Sequence, residues 1–156
     1  MTKRSLSSSK ARSMGALCAS SNLRLAARVV TRHYDQALRG TGVTATQLPI
    51  LAAIRIGAGG SIADLAHTLE LERSGLSRDV SLLNRKGFVR FRPARDKRVQ
   101  QLELTAKGHR TLVKAYRAWE VAHAQLASLL KPNELETHMR RLRRVARAAR
   151  SLPSAR

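Results

Sequence analysis

Apolar positions along this chain fall first at helical and then at strand spacing. From Ser21 onward, Leu23, Ala26, Ala27, Val30, Tyr34, Ala37 and Leu38 share one stripe, predicting a helix that Gly40 and Gly42 end. Thr44 followed by Gln47 has the form of a capping box. The helix it opens is expected to carry Leu48, Leu51, Ala52 and Ile54 inward, with Pro49 confined to the first turn. Gly57, Gly59 and Gly60 break the chain. Ser61 with Asp64 then resembles a second N-terminal cap, for a short helix bearing Ile62, Leu65, Ala66 and Leu69. The turn Glu70-Leu71-Glu72 leads to another helix from about Arg73 to Lys86, and Gly87 lies where a C-terminus favours positive φ. Two short helices joined by a tight turn make a helix-turn-helix candidate, although the glycine often found in such a turn is absent.

The second of these helices separates into two faces. Leu76, Val80 and Leu83 form the stripe expected inside. Ser74, Arg78, Ser81 and Arg85 project roughly opposite, with Ser77 on the flank. Small hydroxyls let a backbone approach base edges, and arginine supplies paired donors to guanine O6 and N7, so this face suits a major groove. An ordinary solvent-facing helix also favours Arg and Ser. The residues after Gly87 tip the balance. Phe88-Val89-Arg90-Phe91-Arg92 alternates apolar with basic at a period of two, predicting a strand. Pro93 to Lys97 reads as a polar turn, and Val99 to Leu104 alternates again with Leu102 and Leu104 on one face. A basic-tipped hairpin after a helix-turn-helix is a winged helix. Arg95 and Lys97 at the tip could reach a phosphate or the minor groove, and Asp96 is expected to brace the hairpin by pairing with Arg98.

Helical spacing returns from Thr105 and lasts. Leu112, Ala115 or Tyr116, Trp119, Ala122 or His123, Leu126 and Leu130 mark a helix of about 25 residues that Pro132 ends. A last helix from about Asn133 is expected to turn Leu135, Met139, Leu142, Val145 and Ala149 inward and its arginines outward. Long apolar-faced helices at both ends of a small central domain cannot all be covered by one chain of 156 residues. Their leftover stripes argue for a partner subunit. The expected organisation is a disordered basic tail over 1–17, an N-terminal dimerisation helix over 18–40 and a winged helix-turn-helix over 44–104. Dimerisation helices over 105–150 and a short tail over 151–156 complete it. The fold class is mainly α with a small β-hairpin wing.

Charge narrows the function. There are 30 Lys+Arg against 10 Asp+Glu, a formal net charge of +20, which calls for a polyanionic partner, nucleic acid first. Nine basic residues lie between Arg73 and Arg98 against Asp79 and Asp96, and seven arginines follow from Arg140 with no acid. Hydrophobic residues, at 43%, suffice for a core. No apolar stretch approaches the ~20 residues of a membrane helix, and no secretory signal is present. The N-terminal composition is one that a mitochondrial transit peptide shares, so composition alone leaves import open. One cysteine, Cys18, excludes an intramolecular disulfide framework and a cysteine-based zinc site. The five histidines show no pair at helical metal spacing, and neither a G-x-S-x-G elbow nor a phosphate-cradling loop occurs. Neither an enzyme, a metal nor a cofactor is expected.

The order of elements, with particular residues, resembles the MarR family of bacterial transcription regulators from about Asn22 to Arg147. Asp96-Lys97-Arg98 followed by Leu102, Leu104, Thr105 and Gly108 is similar to the family's D-x-R…L-x-L-T-x-x-G signature. Thr44-x-x-Gln47 with Leu51, the Leu65-Ala66 pair, and Leu76-Ser77-Arg78 leading through Leu83 to Gly87-Phe88-Val89 are similar too. The resemblance implies a cytoplasmic, nucleoid-associated homodimer, joined by the N-terminal helix and the last two helices. Its recognition helices would enter successive major grooves of a pseudo-palindromic double-stranded DNA site, commonly to repress. It also implies release by a small aromatic or anionic effector bound between the dimer and DNA-binding regions. DNA-contacting residues would be Arg73, Ser74, Ser77, Arg78, Ser81, Arg85, Arg95, Lys97 and Arg98. Gly75 departs from the hydroxyl residue that many relatives carry.

For an effector, His33, Tyr34 and Trp119 offer polar-tipped or aromatic groups, and Arg24 and Arg28 could answer an anion. The same residues also read as core anchors and a solvated face. Cys18 invites comparison with peroxide-sensing relatives, yet no cationic or aromatic neighbour in sequence supports a lowered thiol pKa. From another class, a nonspecific nucleic-acid-binding or nucleoid-compacting protein would also carry +20. An RNA-binding protein is disfavoured by aromatics at 3%, which leave few stacking platforms.

Overall fold

The computed structural model describes residues 7–57, 60–93 and 100–153. Helices α1 (Ser8–Leu17), α2 (Ala19–Ala37), α3 (Leu48–Arg55), α4 (Ile62–Leu69) and α5 (Arg73–Arg85) come first. Strands β1 (Val89–Pro93) and β2 (Gln100–Leu104) follow, and helices α6 (Ala106–Ser128) and α7 (Glu134–Arg150) complete the order. The strands pair antiparallel, with Val89 opposite Leu104 and Phe91 opposite Leu102. A mainly helical chain with a two-stranded hairpin is what the periodicity predicts.

Local chemistry explains most boundaries. Thr44 and Gln47 form the reciprocal pair of a capping box: the Gln47 amide donates to Thr44 Oγ1 at 3.3 Å, and the Thr44 amide donates to Gln47 Oε1 at 3.4 Å. That box opens a turn just before α3, and Pro49 sits in the helix's first turn, where a missing N–H costs little. Ser61 Oγ accepts from the Asp64 amide at 3.1 Å and caps α4. Glu70, with φ 54°, ends α4 in the left-handed conformation that a glycine would ordinarily supply. The turn is therefore closed without glycine, at the small cost of a left-handed Glu.

The core is built around α5. Leu76, Val80 and Leu83 are buried from it and meet Ile50, Leu51 and Ile54 of α3, Leu65 of α4, and Phe88, Val89, Leu102 and Leu104 of the hairpin. Leu38, after α2, and Ala115 of α6 close it. The junction of hairpin and α6 is tight. Thr105 Oγ1 caps α6 by accepting from the Gly108 amide at 3.0 Å, and a Cβ on Gly108 would stand 1.9 Å from the Phe88 carbonyl oxygen. Glycine is thus required there by contact, which gives the Thr105-x-x-Gly108 spacing its physical meaning.

Three expectations are corrected. The stretch 1–17, expected as a disordered tail, contains α1, a helix that buries none of its residues. In α3 the inward residues are Ile50, Leu51, Ala53 and Ile54, while Ala52 is exposed. Leu51 and Ile54 are inward as expected and Leu48 packs on the core; a helix of eight residues spans little more than two turns, so no later repeat decides between Ala52 and its neighbours. In α7 only Leu135 is buried; Met139, Leu142 and Val145 are 37%, 40% and 46% exposed, and Ala149 is exposed as well. Leu23, Leu25 and Val29 of α2 are likewise uncovered. These stripes have no cover within one chain.

Candidate nucleic-acid interface

Helix α5 is held at its C-terminal end and along its inner side. Its buried leucines and Val80 fix rotation about the axis, and Gln47 Nε2 donates to Asp79 Oδ1 at 3.4 Å from the start of α3. The Gly87 amide donates to the Asn84 carbonyl at 2.8 Å and the Phe88 amide to the Leu83 carbonyl at 2.9 Å. With φ +72°, Gly87 turns the chain out of the helix into β1. Rotation being fixed, Arg73, Ser74, Arg78, Ser81 and Arg85 are exposed, and Ser77 is half-buried on the flank. Arg78 Nε donates to the Ser74 carbonyl at 3.4 Å, laying the guanidinium back along the helix surface. Ser77, Arg78, Asp79, Ser81, Leu82 and Arg85 line a shallow groove on this side. The first turn carries no acidic residue, and no side chain caps it. Its first amides are left without a side-chain partner beside Arg73, and the N-cap residue itself is the acidic Glu72.

The structure divides the central basic cluster. Among the described residues, Arg73, Arg78 and Arg85 have no acidic partner. Three others are engaged within the fold, a division that sequence spacing alone does not reveal. Lys86 Nζ donates to the Gly42 carbonyl at 2.7 Å. Arg90 pairs with Glu103 across the hairpin, and Arg92 Nη1 lies 3.6 Å from the other oxygen of the same carboxylate. The register that sets Arg90 against Glu103 is the available signal, since cross-strand opposites attract. Arg95, Asp96, Lys97 and Arg98 lie outside the described residues.

The residues proposed for an effector do not form one site. His33 Nε2 is 2.9 Å from the Ala122 carbonyl, and the Tyr34 hydroxyl is 2.9 Å from His123 Nδ1, both tying α2 to α6. Burial raises the Tyr34 phenol above its ordinary pKa. Trp119 stacks on His123 with ring centroids 4.8 Å apart and tilts against Tyr116. A cavity of about 430 Å³ between α2, α6 and α7 is walled by Val30, Tyr34, His123, Leu126, Leu135 and Met139, with Arg141 and His138 also on its lining. Arg24 and Arg28 stay outside it and are exposed; Arg28 lines a separate shallow groove with Thr31 and Arg32. Sequence reasoning misses Arg141 as the cation of this cavity, because it counts every α7 arginine as outward.

Cys18 sits between α1 and α2. The Ser21 hydroxyl, and then the Ser21 amide, hold its thiol below the ordinary value. The group responsible lies three residues on, near the start of α2, and is neither a cation nor an aromatic. Among the described residues no cluster of metal-ligating side chains occurs, and no helix is long and apolar enough to cross a membrane.

Comparison with known proteins points the same way. Residues 41–99 match the model of the MarR family. Curated proteins give no match. Among solved structures, the chain is similar to the transcriptional regulator MosR of M. tuberculosis in complex with DNA, at 34% identity and a TM-score of 0.74. That match covers 85% of this chain and 98% of the other. MosR without DNA gives 31% identity and a TM-score of 0.78, covering 88% and 99%. Apo MarR from E. coli, at 24% identity and a TM-score of 0.67 over 81% and 96%, is alike in fold.

Proposed function

This chain belongs to the MarR family, and on that premise we propose that it is a sequence-specific, homodimeric DNA-binding regulator that represses from a pseudo-palindromic site. The observation that carries the reading is the outward Arg78 and Ser74/Ser81 face of α5 above a fully buried Leu76-Val80-Leu83 stripe. Arg78 reads base edges, Ser74, Ser77 and Ser81 let the backbone approach them, and Arg73 and Arg85 take phosphates or flanking bases. Arg95, Lys97 and Arg98 act at the wing, braced by Asp96. The two apolar stripes on α2 and α7 make the dimer, which sets two α5 helices one duplex turn apart. MosR crystallised with DNA supports the partner.

The effector reading moves to the cavity between α2, α6 and α7. Apolar walls with Tyr34, His123 and Arg141 on them suit a small aromatic acid, whose carboxylate Arg141 would meet. Such a ligand would wedge the helices on which the dimer rests. Localisation at the nucleoid follows from DNA binding itself.

The deciding experiment selects bound fragments from the source genome and competes them against random duplex at physiological salt. A preference of at least ~10³ is expected of a regulator. No preference would leave a compacting protein, the reading that the net charge of +20 favours.

A further inference from the structure

Helix α5 accounts for only part of the charge. The last eleven residues of α7 hold Arg140, Arg141, Arg143, Arg144, Arg147 and Arg150 and no acid, and all six arginines are exposed. At 100° per residue, all but Arg141 fall within an arc of about 120°, with Leu135, Met139, Leu142 and Val145 on the other side. The helix dipole favours cations in the last turn, which accounts for Arg147 and Arg150. Arg140 with Arg143 and Arg144, and Arg143 with Arg147, stand three and four residues apart and repel. A face built this way is unfavourable until counter-charge meets it.

Two observations indicate which polyanion. Arg150 Nη2 lies 2.8 Å from Glu70 Oε1, and Glu70 is the left-handed residue between α4 and α5. The end of α7 thus lies beside the turn that delivers α5, with Arg147, Arg144 and Arg143 following back along the helix from that point. The apolar side of α7 borders the cavity shared with α2 and α6, and its exposed Met139, Leu142 and Val145 are the stripe that the proposed dimer covers, which takes this side away from a lipid surface. We infer that the arginine face of α7 is a second DNA contact, taking backbone phosphates that flank the site read by α5. Arg143, Arg144 and Arg147 carry it, and Arg150 is the tether. The inference rests on the DNA-binding reading and adds a surface to it.

The test uses the full chain, with binding measured by fluorescence anisotropy across salt concentrations. The duplexes are one recovered by genomic selection, the same trimmed of its flanks, and a random one. Replacing Arg143, Arg144 and Arg147 by Gln should flatten the slope of log K against log salt by up to about three units per protomer. Preference for the selected sequence should persist, and the trimmed duplex should show no such flattening. Replacing the same three by Lys should keep the wild-type slope, separating charge from helix packing. R144Q alone, expected to lower the slope by about one unit, carries the test should the triple variant not fold. An unchanged slope overturns the inference. So does a loss confined to vesicles of anionic lipid, which would make α7 a membrane-surface helix. A wild-type chain without preference for the selected duplex would instead sink the sequence-specific reading, while the slope on random duplex still decides the role of α7.

Discussion

The helix-turn-helix with its hairpin, and the helices at the two ends of the chain, solve the same problem differently. In the first, the apolar stripes find their cover within the chain, Leu38 and Ala115 closing the core from outside: Leu51, Leu65, Leu76, Val80 and Leu83 are 1% exposed or less. In the second, Leu23, Leu25 and Val29 of α2 and Met139, Leu142 and Val145 of α7 stay between 37% and 53% exposed. The periodicity is equally clear in both. Amphipathicity therefore says that a face must be covered, not by what. A closed unit can present its polar face as a rigid reading surface, whereas an open one invites a second copy and so sets the spacing between two such surfaces.

Breaking the closed unit should cost most. Leu83→Ala removes a fully buried side chain and is expected to destabilise by about 2–5 kcal/mol in denaturant unfolding. A loss below about 1 kcal/mol would mean that this core is loosely packed. On the outward side of the same helix, Arg78→Ala should leave the unfolding midpoint nearly unchanged. It should weaken the selected DNA site by about 1–3 kcal/mol and relax base preference there. Equal weakening on all sequences would reduce Arg78 to a phosphate contact.

The open region calls for a different measurement. Leu142→Asp should raise the dimer dissociation constant at least tenfold, about 1.4 kcal/mol, as read by chain mass over a dilution series. The melting temperature of the wild type, but not of the variant at low concentration, should rise with protein concentration. A wild type that is monomeric at every concentration would remove the two-half-site argument. The smallest effect concerns Cys18. Because Ser21 holds its thiol below the ordinary value, more of it is thiolate at a given pH, and alkylation should set in at lower pH than for free cysteine. Ser21→Ala should move that onset upward. No movement would clear Ser21 of the effect.

Legibility tracks the length and regularity of each signal. The stripe of α5 is readable because Leu76, Val80 and Leu83 span two turns between a turn and a glycine, so only one rotation of the helix satisfies them. The hairpin is readable from strict alternation over Val89–Arg92 and Gln101–Leu104, and the register follows because a one-residue slip would expose Leu102 and Leu104. In α3, Leu51 and Ile54 are read correctly as inward, but Ala52 is taken in place of Ile50 and Ala53 because the helix is short. α1 escapes the pattern because its ten residues bury nothing, leaving no hydrophobic period to detect. Of the site, exposure of Arg78 and its serine neighbours is legible. The engagement of Lys86 by Gly42 is not, since it joins residues 44 positions apart, whereas that of Arg90 by Glu103 follows only from the hairpin register.

By itself the sequence determined what repeats locally: which faces are apolar, where Ser61 and Thr105 cap helices, where Thr44 opens the turn before α3, and where Gly87 turns the chain. Those follow from bond rotations and periods that any short segment carries with it. Tertiary structure alone decided which cations are taken up by carbonyls and carboxylates and which remain outward, why Gly108 admits no side chain, and that the end of α7 lies against Glu70. Each of these is a distance between segments remote along the chain, and such distances exist only once the core has packed.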